Sequence, residues 1–141
     1  MNRFVLAVAF SALAAAAAFA QPRPTAPPGA KVYFISPKNG ETVHNPVVVK
    51  FGLKGMEIAP AGTQTPNTGH HHLLVDTDLS ELSLDSPLPA TDKVIHFGKG
   101  QTETTLTLPP GKHTLELLFA DYEHMSFNPP LHSKKITITV Q

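Results

Sequence analysis

Apolar residues alternate with polar ones along much of the chain, and this period of two constrains the fold more than any other feature. In the segment 47–51, Val47, Val49 and Phe51 share one face of a strand, and Val48 and Lys50 share the other. Alternation or a short β-prone run predicts strands at residues 31–36, 47–53, 70–76, 94–97, 102–108, 113–120 and 135–140. Gly, Pro and Asn turns separate them, and no segment after residue 30 keeps a helical period.

The pattern predicts an all-β fold, a single immunoglobulin-like antiparallel β-sandwich. The cysteine pair and tryptophan of antibody domains are absent, since the chain has neither residue type. The spacing of Leu79 and Leu82 permits one helical turn capped by Thr77 or Asp78, and residues 55–69 read as a long polar loop. The predicted core consists of Phe51, Leu73, Val75, Leu106, Leu115, Leu117, Phe119, Ile136 and Ile138.

The N-terminus has the pattern of a secretory signal peptide, residues 1–20. A positive start at Arg3 precedes an apolar, alanine-rich middle, and Ala18-Phe19-Ala20 is a small-residue cleavage site. Residues 21–30 are proline-rich and predict an extended tether, and residues 31–141 form the sandwich domain. We therefore expect a periplasmic or secreted protein with no membrane span in the mature chain.

Charge and cysteine content exclude several classes of function. Loss of Arg3 with the signal peptide leaves ten basic side chains against eleven acidic ones, so the chain lacks the basic excess of a nucleic-acid binder. Without cysteine there is no thiol chemistry. The serines fit no nucleophile motif. We expect a protein that is not an enzyme, with an unknown protein or cell-envelope ligand as partner.

Three consecutive histidines lead into the predicted strand 70–76. In a strand His70 and His72 point the same way, and His71 points to the other face with Leu73 and Val75. A His-x-His pair on a strand is a recurring zinc or copper arrangement, because two imidazoles are already oriented toward one ion. The further ligands predicted for such a metal are His113, His96 and His124, and Met56 and Met125 would suit Cu(I).

A second interpretation of the histidine run is structural. His70 or His72 would then hydrogen-bond backbone groups, Asp76 or another histidine, and hold the long loop against the sheet. His71 is predicted to be a core or interface histidine, and His44 and His132 to be solvated. Two functions stay open: a non-catalytic exported binding module with a histidine-rich structural or recognition strand, and a periplasmic copper- or zinc-binding protein with a histidine cluster at one end of the sandwich.

Several longer motifs carry a family resemblance. The elements VYFISPKNGETV, VKFGLKGM, PNTGHHHLLVDTD and HFGKGQTETTLTLPPGKHTLELLFAD follow one another in residues 31–140. In this order they resemble domain of unknown function 4399, a family of exported bacterial proteins. Some members carry an automatic label of rod shape determination. The family brings no established activity, so the resemblance implies the domain and leaves its function open.

Overall fold

The computed structural model describes residue 20 and residues 22–141. Apart from Ala20, the predicted signal peptide lies outside the described residues. The strands are β1 (Lys31–Ser36), β2 (Thr42–Val43), β3 (Val47–Lys54), β4 (Glu57–Ile58), β5 (Thr68–Val75), β6 (Val94–His96), β7 (Glu103–Leu106), β8 (Gly111–Ala120) and β9 (Ile136–Val140). A single 3₁₀ turn spans Leu79–Glu81. No helix in the described part of the chain is long and apolar enough to cross a membrane.

The strands form two packed sheets. The smaller has the order β1-β3-β7, and the larger has the order β2-β9-β8-β5-β4, with β6 also paired to β5. The long strands pair antiparallel, and two short pairs, β2 with β9 and β4 with β5, are parallel. The predicted all-β sandwich is confirmed. Sequence patterns missed β2 and β4, because a two-residue strand is too short to show a period.

The core lies between the sheets, where the period of two predicted it. All nine predicted core residues are buried, and Leu73, Leu115, Leu117, Phe119 and Ile138 are each 0% exposed. Val48, on the opposite face of β3, is 48% exposed. The strand register predicted from alternation is therefore confirmed at these positions.

A second apolar cluster covers the outer face of the larger sheet. Leu74 of β5 and Leu118 and Ala120 of β8 pack with Leu88, and the half-buried leucines 79, 82 and 84 add to the cluster. Asp78 is the N-cap residue of the predicted turn, and its N–H donates to the Glu81 carboxylate. The segment 77–92 therefore acts as a lid, so that β5 is buried on both faces.

The described part of the proline-rich segment, residues 22–30, is extended and held against the domain. Arg23 donates hydrogen bonds to the carbonyl oxygens of Ser126 and Phe127, and the Asn128 N–H donates to the Pro24 carbonyl at 2.8 Å. Ala26 and Ala30 pack on the main core. The chain is thus anchored from Arg23 onward.

Candidate metal centre

The site begins with two histidines on the outer face of β5. The rings of His70 and His72 have centroids 4.9 Å apart and are 0% exposed. They share this face because the residues are two apart in an extended strand. The group therefore lies on the outer face of the larger sheet, whereas the prediction placed it at one end of the sandwich.

Strand pairing adds a third imidazole. His96 of β6 lies directly opposite His72 in the antiparallel register, and directly opposed side chains share a face. Its ring centroid is 4.9 Å from that of His70 and 5.2 Å from that of His72. Gly98 leaves the space for this ring, since a Cβ atom there would overlap the imidazole atoms of His96.

A tight turn after β8 supplies the fourth imidazole. The Asp121 carboxylate accepts hydrogen bonds from the N–H groups of Glu123 and Met125, at 2.9 and 2.8 Å. His124 lies between those two residues with a φ of 66°, and its carbonyl accepts from the lid residue Leu88. The ring Nε2 comes to 3.0 Å from Nε2 of His96. The turn thus aims His124 back at the sheet.

The ring nitrogens of His70 and His72 have no hydrogen-bond partner in the described part of the chain. The structural interpretation required such bonds, to the backbone, to Asp76 or to another histidine. The hydrogen bond within the group joins His96 and His124 instead. Ligand nitrogens of His70, His96 and His124 all lie within 4.8 Å of one another. Buried imidazole nitrogens without partners are costly, and a shared cation would satisfy them.

Burial keeps the inner imidazoles neutral. Desolvation, with the neighbouring histidines adding to it, lowers the pKa of His70 to about 4 and that of His72 to about 2. Desolvation followed by the charge on His124 also lowers the pKa of His96. A neutral imidazole has a lone pair free for a metal, so these three rings are in the ligating form at neutral pH.

His71 has a different environment on the core face of β5. Its ring centroid lies 5.1 Å from those of Phe51 and Phe119, and burial lowers its pKa to about 4. The residue is 1% exposed. It is a core side chain, as predicted, and it faces away from the four histidines of the group.

His113 does not join the group, and that part of the prediction needs correction. Its Nδ1 lies 2.7 Å from an Asp76 carboxylate oxygen, and its Nε2 lies 2.7 Å from the Pro109 carbonyl oxygen. Two facts separate it from His70. His113 starts β8, whereas His70 pairs with Ala120 at the other end of that strand. It also shares the face of Leu115 and Leu117, which is the core face.

The remaining candidate side chains have separate places. Met56 packs against the main core between the sheets, which removes it from the predicted ligands. Met125 is buried next to His124 in the chain. His44 is exposed, as predicted. His132 is also exposed, but its Nδ1 lies 2.9 Å from the carboxylate of Glu116, which is 5% exposed.

Comparison with known proteins gives one result. The family described as Domain of unknown function (DUF4399) matches residues 49–141, which run from the middle of β3 to the end of the chain. This range contains all four histidines of the group, His70, His72, His96 and His124. Neither the curated proteins nor the solved structures include a significant match. The chain belongs to the DUF4399 family.

Proposed function

We propose that this protein is a non-catalytic, exported metal-binding module that takes copper or zinc on His70, His96 and His124, with His72 as the fourth ligand. The observation that carries the proposal is the set of buried ring nitrogens without partners, next to two further imidazoles. The pattern of residues 1–20 supports export to the periplasm or beyond.

The donor set selects the class of ion. All the ligand atoms grouped within 4.8 Å are imidazole nitrogens, which suit zinc, copper and nickel. Calcium and magnesium prefer carboxylate and carbonyl oxygens. Copper stands at the top of the affinity order of the divalent ions, and zinc takes imidazole ligands in tetrahedral sites. Four neutral ligands would leave the charge of the ion uncompensated. Under reducing conditions this favours Cu(I), which carries a single charge, over a divalent ion.

The spacing also fits one shared ion. Two nitrogen ligands on a tetrahedral zinc lie about 3.3 Å apart, given Zn–N bonds of about 2.0–2.1 Å. The two Nε2 atoms of His96 and His124 are 3.0 Å apart. β5, its paired strand β6 and the turn after β8 position the rings before an ion binds. Little side-chain entropy therefore remains to be lost on binding.

Partial exposure of two ligands supports binding and release rather than permanent storage. His70 and His72 are fully buried, while His96 and His124 are half-buried. An ion would therefore enter past His96 and His124. The chain has no cysteine, and its serines, including Ser126 close to His124, fit no nucleophile motif. Binding or delivery of the metal is therefore the role that the residues support.

The test is metal binding by tag-free protein stripped with EDTA. We expect one Cu or Zn ion per chain by calorimetry at pH 7.5. At a free metal concentration of about 100 times Kd, binding should stabilise the fold by about 2.7 kcal/mol and raise Tm by roughly 10 °C or more.

Three variants locate the site. His124→Asn removes a ligand and keeps a residue type that tolerates positive φ, so the fold should survive while the Tm shift is lost. Gly98→Ala should weaken binding by displacing the His96 ring without removing a ligand. His44→Ala, at an exposed position, is the matched control and should bind normally. No binding by native protein, or full binding by His124→Asn, would refute the proposal.

A further inference from the structure

A second candidate binding site lies along β1 and shares no residue with the histidine group. It is a cleft of about 460 Å³ between β1 and the segment that enters β9. Four lysines line it, Lys31, Lys38, Lys54 and Lys134, together with Tyr33 and with Phe34, which also packs against the main core. The residues that line the cleft include no aspartate or glutamate. Its volume is in the range of small-molecule sites.

The four ammonium groups lack acidic partners. The ion pairs among the described residues use Arg23, Lys135, His113 and His132, and none of the cleft lysines. The whole chain has a formal net charge of 0. A concentration of four positive charges around one concave surface therefore creates a local positive potential on an otherwise balanced protein.

Two of these lysines face each other across the pair of strands β1 and β3, and this arrangement lowers the stability of the fold. Lys31 of β1 is directly opposite Lys54 of β3, and like charges directly opposite are destabilising. Lysines on an edge strand also deter pairing with other chains. That role would account for Lys31, but Lys54 lies at the end of a central strand and Lys134 lies outside any strand.

An aromatic platform lies beside this lysine pair. Tyr33 is opposite Gly52, and a Cβ atom at Gly52 would overlap the tyrosine ring. The ring therefore lies over the glycine, and Tyr33 stays 38% exposed. The ammonium of Lys54 is 5.8 Å from the ring centroid. A flat apolar surface beside several point charges matches a ligand that has a ring and anionic groups.

We propose that the cleft binds an anionic saccharide, a short chain of sugars that carry carboxylate or phosphate groups. The aromatic ring would stack on the apolar face of one sugar, and the lysines would hold the charges. The neutral overall charge argues against a nucleic-acid duplex as the ligand. This site is independent of the proposed metal function.

The test is calorimetric titration of EDTA-treated protein with trigalacturonate, at low salt. Neutral galactotriose, inorganic phosphate and phosphatidylglycerol vesicles are the comparison ligands. We expect trigalacturonate to bind, galactotriose to show no binding, and the affinity for trigalacturonate to fall as salt rises, because exposed charges are screened. Phosphate should bind far more weakly than the saccharide.

Lys31→Glu separates binding from protection of the edge strand. Glutamate keeps a charge on β1 and pairs with Lys54, so Tm should stay equal or rise, while trigalacturonate affinity should fall by about tenfold or more. Tyr33→Val should weaken saccharide binding and leave its salt dependence unchanged. Lys99→Gln removes an exposed lysine outside the cleft and should change nothing.

Several results would overturn the proposal. These are an absence of trigalacturonate binding, equal affinity for phosphate, binding to vesicles alone, and an affinity for trigalacturonate that is unchanged in Lys31→Glu.

Discussion

At the scale of single residues, the buried histidines place polar atoms where burial is unfavourable. His70, His71 and His72 are at most 1% exposed, and their ring nitrogens have no hydrogen-bond partners among the described residues. Burial lowers the pKa of all three below the ordinary value of 6.5. The unfolded chain therefore binds protons at a pH where the folded protein does not.

This difference predicts that the metal-free protein loses stability in acid. The contribution of a histidine with a lowered folded pKa is complete above pH 6.5, and it is lost as pH falls from 6.5 toward the folded value. We expect Tm in EDTA to fall steadily between pH 7 and pH 4.5. Each kcal/mol lost lowers Tm by roughly 4–8 °C in a small domain.

His71→Leu should reduce this acid sensitivity, because it replaces one titrating group in the core by an apolar residue of related size. His44→Ala should leave the pH dependence unchanged. A metal-free melt that is flat across this pH range would contradict the buried neutral state of the histidines.

At the scale of elements, a side-chain clasp joins the end of β5 to the start of β8. Asp76 accepts from the Thr114 N–H at 2.9 Å and from His113. Both ring nitrogens of His113 face oxygen acceptors, which favours the doubly protonated ring. The hydrogen bond to Asp76 raises the pKa of His113 against the opposing effect of its burial.

The clasp between His113 and Asp76 predicts a dependence of stability on pH that is opposite in sign to that of the buried histidines. The contribution of a histidine with a raised folded pKa is complete below pH 6.5 and is lost as pH rises through the folded value. His113→Gln still offers a donor to Asp76 but carries no charge. In EDTA, the Tm difference between native protein and His113→Gln should be clear at pH 6 and smaller at pH 9. A difference that is equal at both values would show that the ring is not charged in the folded protein.

At the scale of the whole molecule, stability rests on the layer of side chains between the sheets, because the chain has no cysteine for a disulfide. Leu117 belongs to that layer and is 0% exposed. Leu117→Ala should reduce the free energy of unfolding by roughly 2–5 kcal/mol. Val48→Ala, on the exposed face of β3, should change it by at most about 0.5 kcal/mol. Chemical denaturation measures both, and similar losses would mean that the strand faces are misassigned.

The sequence by itself determined the features that depend on local geometry. Alternation separates the two faces of a strand. It therefore predicted the nine core residues, and it placed His71 on the other face of the strand from His70 and His72. The same rule contained a signal that the ligand prediction did not use. His113 shares the face of Leu115 and Leu117, and that face is the core.

Only the tertiary structure decided which distant residues meet. His96 reaches the group through the register of β6 on β5, and His124 reaches it through a turn held by Asp121. Lys31 and Lys54 face each other through the register of β1 on β3. Register and loop closure depend on packing across the whole domain rather than on neighbours in the chain, so residue patterns name the strands and their faces but leave their partners open.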